Sequence, residues 1–162
     1  MNVKTEGTKL IIERIFSVSQ ERLFKAFTTS SELEAWWGPK GWKTTNKRFE
    51  FETGGHWHYC MKCEDKSQGD FYGMESWGLA KFKDIHTPER FLYEDQFSDE
   101  EGNVNSDLPG MDIEVAFLPV DGGTKLVTTT FFDSVESLEK VSEMGMVEGT
   151  ASQYERLEEY LK

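Results

Sequence analysis

The chain has 162 residues, with thirty Asp and Glu against eighteen Lys and Arg and a formal net charge of −12; at that length one domain, 1–162, buries roughly two-thirds of its unfolded surface without staples. The acidic surplus repels nucleic acid and anionic membrane surfaces, which excludes both as expected partners. Two cysteines are too few for a disulfide framework, and no window approaches the roughly 20 apolar residues of a membrane span or the apolar region of a signal peptide, so a cytoplasmic location with reduced thiols is expected.

Residues 8–16 suit a first strand, with Leu10, Ile12 and Ile15 interrupted by charges. Ser17 or Ser19 can then cap a short helix whose Leu23, Phe24 and Phe27 share a face. A second short helix follows. Thr29 to Glu32 and Ser31 to Glu34 both fit the capping-box spacing, Leu33, Trp36 and Trp37 share a side, and Gly38 and Pro39 end it.

From Trp42 the period shifts toward two. Phe49 and Phe51 alternate with Arg48, Glu50 and Glu52, and Gly54 and Gly55 supply a turn. In 56–63, Trp57, Tyr59, Met61 and Cys63 are assigned to the core and His56, His58, Cys60 and Lys62 to water. A longer strand spans 71–85, where Gly73 or Gly78 can mark a bulge. After a turn at 86–90, Phe91, Tyr93, Asp95 and Phe97 alternate with polar neighbours, and 98–109 is the one long loop. Ile113, Val115 and Phe117 define the next strand, which turns at 120–123 into the strand 125–132. Asp133 or Ser134 caps a long closing helix, on which Val147, Ala151, Tyr154, Leu157 and Leu161 form one apolar stripe. The order implies an α+β fold: a strand, two short helices, about six more antiparallel strands and a C-terminal helix gripped by the curved sheet. Gly145 and Gly149 on that helix leave room either for a cavity or for close packing.

Four motifs resemble the START-like (SRPBCC, birch-pollen-allergen-like) superfamily. They are Trp36, Trp37, Gly38 and Pro39 after the two helices, the run from Gly54 to Trp57, the run from Thr87 to Phe91, and Phe97 to Asn103. They are most similar to the branch related to the C-terminal domain of the activator of the heat-shock-protein-90 ATPase. The resemblance spans nearly the whole chain and implies the helix-grip fold, with about seven antiparallel strands around the C-terminal helix and an apolar cavity for small hydrophobic molecules. It transfers a type of site rather than an activity. Where that branch often carries Gly-Trp on the helix, this chain has Gly149 and Thr150, which enlarges or reshapes the cavity. The co-chaperone of that branch has a further N-terminal domain that is not within these 162 residues, so a chaperone ranks second to a small hydrophobic molecule as the expected partner.

Candidate chemistry is sparse. His56, His58 and Cys60 share a strand face, but Cys63 points to the opposite one and nothing completes four ligands, so neither a metal nor a cofactor is expected. Glu75, Glu94 and Asp95 lie on central strands beside aromatics, where burial can raise a carboxyl pKa, but no catalytic constellation is evident, which leaves a cyclase-like or hydrolase-like enzyme as a variant reading. Five Trp and twelve Phe exceed what a core of this size ordinarily needs. The candidate ligand-binding set is therefore Trp36, Trp37, Trp57, Tyr59, Trp77, Asp95, Phe97, Met111, Met144, Gly149, Gln153 and Tyr154, with Met146 beside them.

Overall fold

A computed structural model describes all residues, 1–162. Eight strands form one antiparallel sheet in the order β1-β2-β8-β7-β6-β5-β4-β3. The strands are β1 (Asn2–Glu6), β2 (Lys9–Phe16), β3 (Trp42–Phe49), β4 (His56–Cys63), β5 (Glu75–His86), β6 (Arg90–Ser98), β7 (Met111–Val120) and β8 (Gly123–Phe131). Helices α1 (Gln20–Thr28) and α2 (Ser30–Trp36) separate β2 from β3, and α3 (Val135–Glu143) and α4 (Met146–Tyr160) close the chain. None of the helices is long and apolar enough to cross a membrane.

This is the helix-grip arrangement, with one strand more than the sequence suggests. The addition, β1, is exposed along its length and pairs only with β2. Ser19 caps α1 by accepting from the Arg22 N–H, and Ser134 caps α3 by accepting from the Ser137 N–H. The expected capping boxes on α2 do not form, because their carboxylates have tertiary partners. Glu32 takes Arg22 at 2.7 Å and the Tyr160 hydroxyl at 2.9 Å, and Glu34 accepts the Asn46 N–H at 2.7 Å. The closing segment is two helices rather than one. Gly145, at φ +89°, bends the chain between them in the left-handed region open to glycine.

Two further expectations are corrected. The bulge in β5 lies between Phe82 and Asp84, not at Gly73 or Gly78. His58 and Cys60 do point away from the core, but both are buried. The loop after β6 folds back over them, with a His58 ring nitrogen 2.9 Å from the Asp99 carbonyl and the Trp77 ring 5.1 Å from the imidazole. Burial pushes the Cys60 thiol up to about 11, which keeps it protonated and unreactive at neutral pH.

The interior has two halves. Toward α1 and α2 it is filled by rings: Phe24 and Phe27 meet Phe117 edge-on at 5.1 and 5.3 Å, and Phe27 meets Trp36 at 4.8 Å. Toward α3 and the start of α4 it is hollow.

Candidate functional site

The hollow half is a cavity of about 350 Å³ between the inner face of the sheet and the bend joining α3 to α4. Strand alternation places Tyr59 and Met61 from β4, Tyr93, Asp95 and Phe97 from β6, and Met111, Ile113 and Val115 from β7 on its floor. Thr128 and Thr130 of β8 continue that floor, while Trp37 and Pro39 form one wall. The roof is Val141, Met144, Gly145, Met146, Gly149, Gln153 and Tyr154. Met144 is 53% exposed and lies at the rim.

Helix α4 is fastened over this space by polar contacts to the segment after α2. The Arg156 guanidinium donates from Nη1 to the carbonyls of Trp37, Gly38 and Trp42 at 3.0, 2.8 and 3.0 Å. The Trp37 carbonyl is at the C-cap of α2, where a cation is favoured, and it also accepts the Thr44 hydroxyl at 2.8 Å. Gln153 Oε1 accepts the Gly38 N–H and Ser152 Oγ accepts the Lys40 N–H, each at 2.9 Å. Trp37 is held at the wall as a result, edge-on to Trp57 at 4.8 Å.

Gly149 has no atom within 4 Å of where a Cβ would stand. Its missing side chain is empty space in the cavity rather than a site of close packing. Gly78 is the opposite case: a Cβ there would lie 2.4 Å from Tyr59 Cζ and 2.5 Å from its hydroxyl. Tyr59 and Gly78 are cross-strand partners, so the bare backbone of β5 lets the phenol lie across it. The hydroxyl thereby reaches β6 and donates to Asp95 Oδ2 at 2.9 Å.

Asp95 is 8% exposed, and its Oδ1 has no hydrogen-bond partner. Burial raises its pKa to about 7, against the lowering effects of the hydrogen bonds from Tyr59 and from the Gln96 backbone. Burial likewise lifts the Tyr59 and Tyr93 phenols well above their usual value, with the Asp95 charge adding to it. At the other side of the cavity Tyr154 shares a 2.7 Å hydrogen bond with Thr128, and burial pushes its phenol up to about 12.

Of the twelve candidate residues, nine meet at this cavity: Trp37, Tyr59, Asp95, Phe97, Met111, Met144, Gly149, Gln153 and Tyr154. Three do not. Trp36 is fully buried in the ring-packed half, its indole N–H donating to the Ala26 carbonyl at 2.9 Å. Trp57 stands behind Trp37, with its N–H on Asn46 Oδ1. Trp77 is on the outer face of the sheet against His58, with Lys47 over its ring. Glu75 is exposed and Glu94 pairs with Lys83 at 3.7 Å, so neither carboxyl reaches the cavity. Tyr93, Ile113, Val115 and Thr128 line the cavity without standing in the candidate set, although the alternation that selects Asp95 and Phe97 also selects Tyr93.

Residues 17–162 match the family model described as Activator of Hsp90 ATPase homolog 1-like protein. A crystal structure of a Mycobacterium smegmatis protein superposes with a TM-score of 0.89 at 27% identity, covering 100% of this chain and 96% of that one. A solution structure from Arthrobacter aurescens gives 0.88 at 28% identity, covering 99% and 90%. One from Staphylococcus epidermidis gives 0.83 at 26%, covering 99% and 93%. No curated protein matches by sequence. The chain belongs to the family of Activator of Hsp90 ATPase homolog 1-like proteins, within the START-like superfamily.

Proposed function

We propose that this protein binds a small hydrophobic molecule in the cavity between the sheet and the α3–α4 bend. The observation that carries the reading is the division of the interior. One half is filled ring against ring, whereas the other leaves about 350 Å³ open under Gly149, within the size range of ligand sites. Apolar walls would supply most of the affinity, and Met61, Met111, Met144 and Met146 around the space suit ligands of differing shape.

A neutral hydrophobic panel, including flavonoid-like compounds, tests this by thermal shift and tryptophan fluorescence. Binders are expected at micromolar affinity, about −8 kcal/mol, with a raised melting temperature and quenching of Trp37 at the wall. Gly149→Trp fills the cavity and is expected to abolish both signals while the protein stays folded. No binding by any hydrophobic compound, neutral or charged, or a shift unchanged by Gly149→Trp, would refute the reading. The family description names an activator of a chaperone ATPase, and this supplies the second reading, a chaperone-binding module. Native mass spectrometry of protein purified from cells separates the two, because one retains a small molecule and the other a stoichiometric protein partner.

A further inference from the structure

The cavity has one charged residue on its lining, and that residue is half unsatisfied. Asp95 Oδ2 holds the Tyr59 hydroxyl, while Oδ1 is buried without a partner. A buried acceptor left open costs free energy unless something donates to it. No side chain around Oδ1 donates to it: Ala80 and Met111 flank Asp95 across the strands, Tyr93 and Phe97 lie along its own strand on the same face, and the one other hydrogen bond favouring the carboxylate besides that of Tyr59 comes from the Gln96 backbone. No Lys, Arg or His lines the cavity. The titratable groups facing Asp95 are Tyr59 from β4 and Tyr93 from β6; Tyr154 of α4 shares the cavity but is paired with Thr128. All three phenols are neutral at physiological pH, so the charge of an ionised Asp95 is unopposed. The whole chain carries −12, which adds a field that attracts cations and repels anions.

We propose that the ligand is a lipophilic amine, whose protonated nitrogen donates to Asp95 Oδ1 between the rings of Tyr59 and Tyr93 while its apolar body lies against Ile113 and Val115. This rests on reading the cavity as a ligand site. An ammonium supplies the missing donor and the missing countercharge together, and the two rings add cation–π attraction. A neutral alcohol supplies the donor alone. A fatty acid or other carboxylate brings a second negative charge to a site with no cation to receive it.

The test uses three probes of one shape, 4-phenylbutylamine, 4-phenylbutanol and 4-phenylbutyrate, titrated calorimetrically into the full chain and into Asp95→Asn. At about pH 7.5 the amine is expected to bind roughly ten- to a hundredfold more tightly than the alcohol, as befits a charge-assisted hydrogen bond, with the carboxylate weakest. Below the raised Asp95 pKa the amine must displace the carboxyl proton, so its affinity falls about tenfold per pH unit while that of the alcohol stays level. Asp95→Asn is expected to bring the amine down to the alcohol. If the alcohol or the carboxylate binds as tightly as the amine, the amine proposal is overturned and the hydrophobic-ligand reading survives. If none of the three binds and the neutral panel also fails, both are overturned.

Discussion

Replacing Asp95 by Asn should make the protein more stable at neutral pH, which is unusual for a buried polar residue. The folded-state pKa is raised from 3.8 to about 7, so between those values the native protein retains a proton that the unfolded chain has released. The native state thus binds more protons, and stability falls as pH rises through this window at about 1.4 kcal/mol per unit. The full span is a ceiling of about 4 kcal/mol, and because native structure relaxes around a buried charge the expected effect runs from that ceiling down to about 2. Asn keeps the shape and can still accept the Tyr59 hydroxyl, but it has no charge to desolvate. Urea unfolding of both proteins from about pH 4 to pH 8 isolates the effect, since the other carboxylates cancel in the difference. The stability of Asp95→Asn relative to the parent should climb by about 2–4 kcal/mol across the window and level off above it. Tyr59→Phe removes the hydrogen bond that favours the carboxylate, so it should move the upper edge of the window to higher pH. Parallel curves for parent and Asp95→Asn would mean that Asp95 is solvated in the native state and would refute the reasoning.

Other substitutions probe the remaining supports of the site. Gly78→Ala places a methyl against the Tyr59 ring and should cost about 1–3 kcal/mol in urea unfolding, most of it recovered when Tyr59 is also made Leu. Gly149→Ala meets nothing within 4 Å and should raise helix stability by roughly 0.5–1 kcal/mol, seen as a higher melting temperature. Leu157, fully buried on the inward side of α4, should cost about 2–5 kcal/mol as Ala, whereas Glu158→Ala, which loses an ion pair with Arg14 at the surface, should cost no more than about 1. Equal effects would mean that the inward face of α4 is misassigned. Arg156→Lys keeps the charge but not the fork that gathers several carbonyls, so a loss of roughly 1.5–3 kcal/mol and faster hydrogen exchange at Gly38 and Lys40 are expected.

What the sequence revealed follows from what periodicity encodes. Alternation identifies the face a residue takes, which is why Tyr59, Asp95, Phe97 and Ile113 could all be assigned to the inner face. It carries no information about what covers the other face, so it points His58 and Cys60 to water although the loop after β6 buries them. Strand β1 was invisible because none of its residues is buried, leaving no apolar pattern to detect. The break at Gly145 was hidden because apolar residues recur at helical spacing on both sides of it. In the same way, a surplus of aromatic residues predicts that rings fill the interior but not which half they fill, and so it does not separate Trp36 and Trp57 from the residues that line the cavity.

The least legible feature is also the one on which the chemistry depends. The contact between Tyr59 and Asp95 joins residues 36 positions apart across a strand that lies between theirs. It exists only because that strand has a glycine under the phenol ring. In the sequence, Gly78 reads as a weak point in a β-strand, with nothing to separate a bulge from a site of close approach. The pairing of β4 with β5 resolves this by setting Tyr59 opposite Gly78, and the pairing of β5 with β6 sets Ala80 opposite Asp95. Two small residues on one strand thus form a trough between a donor and an acceptor. The trough fixes the Tyr59 hydroxyl on one carboxylate oxygen and leaves the other open. Gly78→Ala should therefore disturb more than packing: by displacing the phenol it should shift the pH window of Asp95 upward, as Tyr59→Phe does. A window left in place by a destabilised Gly78→Ala would show that the trough positions the ring without controlling the carboxyl.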